Sequence, residues 1–510
     1  MPSFTTYPSG RLCQNARPTE RDPDFFPADT IIQLLRSGRS PFDLDNISLS
    51  KIRQDIHKLE SHVAAFDLAI RGLQKHKNRV NHNLRMYHSL FAPIRRLPLD
   101  VLIHIFQLLP VDTIDPNSTP WILGLVCYSW RSVYLSVPTL WSRIFIDIRA
   151  GAELRPQSVS MLHTSLSRSQ RSPLTISASY DNQSSPISPF LFSILDLLIS
   201  HLSRWSVVEF HIPRLSYHIF DRLGPLPMLR TINVTLDPRV VPLGTRDLLM
   251  HSPQLRAVSL TAIPLSSVDL PLSRLSSLDG VIQTPEHLFN ILNEAKGLEA
   301  LTISSSKFLS GHPSCGTLTV PNICRLHFRS VPVQEISNSL LFPNLKYLVL
   351  GAHSGAQPYS SSDIRSVVNM IERSQCPLRS LSLNFTVCLC SIAAISSNLT
   401  QLSIMVESWA ACETFVSLRV GKDGGRDLVP NLVELRITDV TSKCGGQSFT
   451  HEPFGPMIES RWNGGRLRRL EMHVKYGWGD PYYSEVVRRT LGKYVDEGLD
   501  VVIFDGECVV

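Results

Sequence analysis

At 510 residues, 43% of them hydrophobic and 18% charged, the chain is long enough for two to four domains and excludes a single small one. The net charge of +6 is modest, and the ten cysteines are scattered without a Cys-x-x-Cys, which excludes a zinc framework or a disulfide-stapled scaffold and leaves reduced, mostly buried thiols as the expectation. The first thirty residues lack a secretory apolar core, and no run approaches the ~18 apolar residues of a membrane span, so a cytoplasmic and/or nuclear chain with no membrane partner is predicted.

Residues 1 to 46 read as a mostly disordered leader, with one or two helical turns over Thr30 to Leu35 stopped at Ser37-Gly38. A heptad helix is predicted over 47 to 91. Apolar residues fall at alternating steps of three and four from Leu49 through Ile52, Ile56, Leu59 and onward to Tyr87, and only Lys77 breaks the series. No proline interrupts before Pro93, which gives one helix of ~60 Å at 1.5 Å per residue. Eight Lys/Arg against three Asp/Glu between Leu49 and Leu90 place +5 of charge here. A solvated coiled-coil face explains this excess better than nucleic acid, which is disfavoured as a partner. With Lys77 in the seam and Pro93 closing the end, the helix is predicted to fold against its own chain in preference to a second copy.

Residues 92 to 148 come next. Leu97-Pro98 opens an apolar face at Val101, Leu102, Ile105, Phe106 and Leu109, the spacing of a short amphipathic helix entered at a proline turn. A polar break from Pro110 to Pro120 precedes Leu123, Val126, Cys127, Trp130, Arg131 and Tyr134, and Pro138-x-Leu140-Trp141 closes the stretch. On the residues alone this is a helical hairpin that leans on a neighbour, since ~45 residues bury little by themselves.

These motifs together resemble an F-box. The resemblance implies a small all-α module that docks a Skp-type adaptor, and through it a cullin, as the substrate receptor of an SCF-type ubiquitin ligase. The adaptor-contact positions it implies are Leu97, Pro98, Val101, Leu102, Ile105, Phe106, Leu109, Val126, Cys127, Trp130, Leu140 and Trp141. The interval between the two blocks, with Asp112 to Trp121 inserted, is longer than the commonest F-box spacing.

From 149 to 510 the pattern changes to a repeat. Strands are predicted at Ile144–Ile148 and Leu174–Ile176, with a helix over Gln157–Ser169 between them and a buried helix over Phe190–Leu202. The spacing L-x-x-L-x-L, with other apolar residues allowed, then recurs from Trp205/Val208/Phe210 and Leu229/Ile232/Val234 to Leu467/Leu470/Met472, at intervals of 21 to 43 residues. Helices fill several intervals: Thr284-Pro285-Glu286 is a capping signal with Gly297 as a stop, and Asp363–Arg373 repeats the design. Units of helix and strand that cannot bury a face alone must stack into a parallel row. This resembles an irregular leucine-rich-repeat solenoid; a doubly wound α/β domain is the alternative. A helix over Tyr482–Glu497 and a strand over Asp500–Phe504 are read as its cap. The fold class is therefore α+β and multidomain: a long N-terminal helix, a small all-α module and an α/β solenoid.

No enzyme signature is present. Gly421-Lys422-Asp423-Gly424-Gly425 lacks the flanking strand and helix of a phosphate loop, and no histidine pair has metal-ligand spacing on a helix, so neither catalytic residues, nor a metal, nor a cofactor are expected. Recognition is better supported. Strand positions two and four after the first leucine point away from the buried pair, and there Arg325, His327, Arg329 and Tyr347 form a basic, aromatic-edged patch suited to an acidic or phosphorylated segment of a target protein. An ordinary solvated strand face is the alternative at that patch. For the chain as a whole, the alternative is a coiled-coil and repeat scaffold not coupled to ubiquitination.

Overall fold

The computed structural model of the chain describes residues 28–38, 45–148, 154–180, 189–211, 222, 224–235, 249–305, 316–351, 359–386, 388–406, 411–421, 427–439, 451–474, 491–505 and 508–509. Two compact units divide it, Met1–Leu102 and Ile103–Val510. Most of the expected leader, and residues 482–490 of the expected C-terminal helix, lie outside the described residues; Leu491 to Asp496 are helical.

In the first unit, α1 (Ala28–Arg36) is followed by α2 (Asn46–Leu90), 45 residues without a break. Asp45 caps α2 by accepting the Ser48 N–H at 3.2 Å. At its other end the Phe91 N–H closes on the His88 carbonyl, Arg95 Nε donates to the Ser89 carbonyl at 2.6 Å, and Pro93 opens a separate 3₁₀ turn. The heptad seam is therefore one helix, as its spacing requires, but it is not packed. The nine apolar seam residues from Ile56 to Tyr87 are each 47–66% exposed, so the expected burial against the helix's own chain is not found. Lys77 and the adjoining Pro93 do not fold the helix back; its seam stays open to solvent.

The next helix, α3 (Leu99–Leu108), contains the boundary between the units. The second unit continues with α4 (Thr119–Val126), α5 (Tyr128–Ser136) and a 3₁₀ turn at Pro138–Trp141. The block expected as the second arm of a hairpin is thus two helices, broken at an extended Cys127 (φ −160°, ψ 169°). Arg131 Nε, donating at 2.6 Å to the Gly124 carbonyl, satisfies a group that the break leaves open in the last turn of α4.

One sheet dominates the second unit. Its strands are β1 (Arg143–Ile148), β2 (Leu174–Tyr180), β3 (Trp205–His211), β4 (Thr231–Thr235), β5 (Ala257–Pro264), β6 (Ser277–Val281) and β7 (Ala300–Ser304), then β9 (Arg325–Arg329), β11 (Tyr347–Gly351), β12 (Ser380–Asn384), β13 (Gln401–Val406), β14 (Glu434–Asp439), β15 (Arg469–Val474), β16 (Asp500–Asp505) and β17 (Cys508–Val509). The two-residue strands β8 (Leu318–Thr319) and β10 (Leu340–Leu341) pair separately. Among the described residues the fifteen strands lie side by side in chain order, parallel throughout except β17. Sequential parallel order follows from the repeat: each helix or 3₁₀ turn returns the chain to the same end, and each L-x-x-L-x-L sends its spaced apolar side chains to one face. All ten expected triplets are buried, Leu229, Ile232 and Val234 as fully as Leu467, Leu470 and Met472.

An eleventh unit, β6, is hidden in the longest interval, the 43 residues from Leu255 to Leu298. Its triplet is Leu275/Leu278/Gly280, with glycine where an apolar side chain is expected. The reason is steric. A Cβ on Gly280 would lie 2.5 Å from the side chain of Leu265, which is itself buried and fills that place in the core. The helices between strands are anchored as their signals require: Thr284 Oγ1 accepts the His287 N–H at 3.2 Å ahead of the helix Pro285–Glu294, and Ser360 forms a capping box with Asp363 ahead of the helix Ser361–Ser374. The helix expected to be buried all round, Pro189–Ile199, buries Leu191, Ile194, Leu195 and Leu198 but leaves Phe192 exposed.

Candidate functional site

Two surfaces of the second unit carry candidate residues. The first is built by its short helices. Phe106 is buried against Trp130 (centroids 5.0 Å apart) and Tyr134 (6.1 Å). Trp141, 2% exposed, packs on Tyr134 at 4.7 Å and Trp121 at 5.7 Å, donates its Nε1–H to the Tyr134 carbonyl at 2.7 Å, and carries the Arg168 guanidinium 4.4 Å over its ring. Of the twelve implied adaptor-contact positions, Leu102, Phe106, Leu140 and Trp141 are buried, and Leu97, Ile105, Leu109, Cys127 and Trp130 are partly so. The four buried ones, Leu102 in the first unit and Phe106, Leu140 and Trp141 in the second, are core residues of the units that carry them. Pro98, Val101 and Val126 are exposed.

Of the apolar side chains left open on the helices of the second unit, the sequence motif singled out Val126 and passed over Leu108, Ile122, Leu125 and Tyr128. Leu108 is 72% exposed, Leu125 74% and Tyr128 84%, and Ile122 and Val126 of α4 are exposed too. An exposed group of this kind, on helices that already possess an aromatic core, is surplus to folding. The signal in the sequence is the apolar run Trp121–Val126, too long for a one-faced helix of eight residues.

The inserted stretch between the helical blocks has a structural use. Thr113 is buried and pairs with β1 as a strand would: its N–H donates to the Phe145 carbonyl at 2.8 Å and its hydroxyl accepts the Phe145 N–H at 3.0 Å. The insertion therefore covers the outer edge of β1, which would otherwise offer unpaired backbone groups. A cleft of about 810 Å³ opens beside it, lined by Asp112, Asp115, Phe145, Asp147, Arg155 and Met161 among others. Burial raises the Asp112 carboxyl above its usual range, and the nearby Asp115 and Asp147 carboxylates push the same way, against hydrogen bonds from the Ile114 and Asp115 backbone. Among the described residues no group of three or more His, Cys, Asp or Glu could hold a metal ion.

The second surface is the face of the sheet opposite the buried triplets. Arg325, His327 and Arg329 alternate along β9, and Tyr347 of β11 is in register with Arg325, as the spacing predicts. The structure brings the four together but divides their roles. Arg329 is engaged with Asp279 of β6, Nη2 to Oδ2 at 3.2 Å and Nη1 to Oδ1 at 3.5 Å, and the Ser259 hydroxyl donates to the same carboxylate at 3.0 Å. Arg325 is exposed and Tyr347 is 42% exposed. Asp279 escaped notice because its strand was hidden by Gly280. A further charged cluster lies at the last strands: buried Glu471 accepts from Arg436 Nη2 at 2.9 Å and pairs with His473, whose ring stacks on Phe504 at 4.4 Å. Burial tends to raise the Glu471 carboxyl, but His473 and Arg436 outweigh it and hold it below the usual range.

No protein-family model matches the chain, and no curated protein matches it. No helix among the described residues is long and apolar enough to cross a membrane.

Proposed function

We propose that the chain is an F-box substrate-recognition subunit of an SCF-type ubiquitin ligase, with a leucine-rich-repeat-like solenoid as its target-binding part, acting in the cytoplasm or nucleus. The observation that carries this reading is the exposure of the apolar side chains of Leu108, Leu125, Val126 and Tyr128, on helices whose sequence resembles an adaptor-docking motif. Strand order equal to chain order supports the solenoid, because a doubly wound sheet reverses its order at a switch point and this one does not. No chemistry is assigned to the chain: its role is to hold two proteins.

Capture of adaptor and cullin by the full chain tests it. Leu97→Asp with Pro98→Ala, or Val126→Asp alone, is expected to reduce adaptor recovery at least tenfold while leaving the chain folded, since a charge placed in an apolar contact has no partner. Adaptor recovered at the wild-type level from both variants would sink the assignment.

On the sheet face the target segment is proposed to be acidic or phosphorylated, met by Arg325 with Tyr347 beside it. Arg329 already faces a carboxylate, so Arg325→Ala is expected to weaken target capture more than Arg329→Ala, while Arg329→Ala costs more stability by stranding the half-buried Asp279. Proximity labelling of both variants, read beside their melting temperatures, checks the order of the two effects. The open seam of α2 favours one second reading, a coiled-coil scaffold without a ligase, and intact target capture with no adaptor would be its mark.

A further inference from the structure

We propose that α2 forms an antiparallel two-helix coiled coil with α2 of a second copy of this chain. The starting observation is the uncovered seam, nine apolar residues per helix from Ile56 to Tyr87 broken only at Lys77. A 45-residue helix gains most of its stability from packing an apolar face, and this face meets nothing among the described residues. The steps of three and four put Ile56, Val63, Ile70 and Leu84 with Lys77 in one seam row, and Leu59, Phe66, Leu73, Val80 and Tyr87 in the other. A stripe only two rows wide is the seam of a coiled coil, narrower than the apolar face of a helix packed on a globular core. With each side chain open over about half its surface, two such stripes cover on the order of 1,500 Å² when joined, within the range of stable interfaces.

Charge sets the direction. Between Ser50 and Ala69 the three cations Lys51, Arg53 and Lys58 are balanced by Asp55, Glu60 and Asp67; between Ile70 and Leu90 stand Arg71, Lys75, Lys77, Arg79 and Arg85 with no acid at all. A parallel pair would lay one +5 half on the other and set Lys77 against Lys77 inside the seam, where like charges are poorly screened. The antiparallel pair lays each basic half along the half that holds the acids, of which Glu60 and Asp67 are exposed and Asp55 is buried. Centred on Ile70 and Leu73, it also puts Lys77 opposite Phe66 of the second copy, a ring that accepts both the aliphatic stem and the ammonium. Lys77, which breaks the stripe in a single helix, thereby finds a partner in the pair. The same chain supplies both the basic half and its neutral complement, in equal length and in one register. That self-complementarity is the argument for a second copy as the occupant, and it stands independently of adaptor docking.

Sedimentation of the full chain tests the pairing. The wild type is expected at twice its 57.2 kDa mass at micromolar concentration. Ile70→Asp with Leu73→Asp, at the centre of the seam, should weaken dimerisation by about a hundredfold or more. A photo-reactive benzoylphenylalanine in place of Ile56 reads the direction. The antiparallel pair cross-links it to the second copy near Tyr87; cross-links near Ile56 of the second copy would overturn the orientation. A wild-type chain monomeric at tens of micromolar would overturn the proposal outright, whatever the double variant does.

Discussion

Arg461→Met is expected to destabilise the second unit by about 2–4 kcal/mol, the cost of taking a buried donor fork away from backbone carbonyl acceptors. Arg461 lies on the helix His451–Asn463 and is 3% exposed. Its guanidinium donates to three backbone carbonyls: Nε to Leu418 at 2.6 Å, Nη1 to Val429 and Nη2 to Leu428. Burial pushes its pKa down to about 10, opposed by the Asp427 carboxylate, so the group keeps its charge at neutral pH. Those carbonyls belong to the end of one helix and to the chain entering β14. Val429 there has a left-handed backbone (φ +49°), a conformation that a β-branched residue adopts only when held. Methionine fills the volume but takes the guanidinium donor from the Leu418 and Leu428 carbonyls and leaves the Val429 carbonyl with only the Leu432 N–H at 3.3 Å. Lysine keeps the charge but cannot fork to three carbonyls, so Arg461→Lys should rescue little. Urea denaturation followed by tryptophan fluorescence measures both variants; a midpoint for Arg461→Met within error of the wild type would refute the clamp.

Nothing in the sequence around Arg461 marks it, because the signal lies in three carbonyls that the fold, not the spacing, brings together. The repeat is the opposite case. Triplets such as Leu345/Leu348/Leu350 and Leu378/Leu381/Leu383 were legible because a parallel row built from similar turns writes the same burial pattern into every unit. The reading failed where a neighbour replaced the expected side chain, as Leu265 does at Gly280, and there the sequence keeps no trace of the third apolar position. The α2 seam was equally legible as a stripe. What its spacing could not state was the partner, since a heptad records that a face will be covered and not by what.

The candidate sites divide along the same line. Which residues share a face of β9 and β11 follows from alternation alone, and Arg325 and Tyr347 are in register as that requires. Which of those cations is already answered by an acid depends on Asp279, two strands away and 50 residues distant in sequence. The F-box resemblance shows the complementary limit. A motif resemblance names residue types at positions, and it does not separate those that build the module from those that meet a partner: Phe106 and Trp141 belong to the first kind, while Leu125 and Tyr128, outside the motif, are the open ones.

That separation sets the last expectation, for Trp141→Ala. The indole is enclosed by Trp121, Tyr134 and Arg168 and gives its one donor to the Tyr134 carbonyl, so truncation leaves a large cavity, an empty acceptor and an unsupported guanidinium. A loss of about 3–5 kcal/mol is expected, with Trp141→Phe intermediate because the ring volume is partly kept and only the hydrogen bond goes. Tyr128→Ala, at a side chain 84% exposed, should change stability by no more than ~0.5 kcal/mol. The two variants also part in adaptor capture. The adaptor should be lost by Trp141→Ala in proportion to unfolding, recovering when the protein is cooled below its lowered melting temperature. With Tyr128→Ala it should be weakened at every temperature, the chain staying folded. Capture lost at low temperature by a folded Trp141→Ala protein would place the indole in the contact itself and refute its role as core.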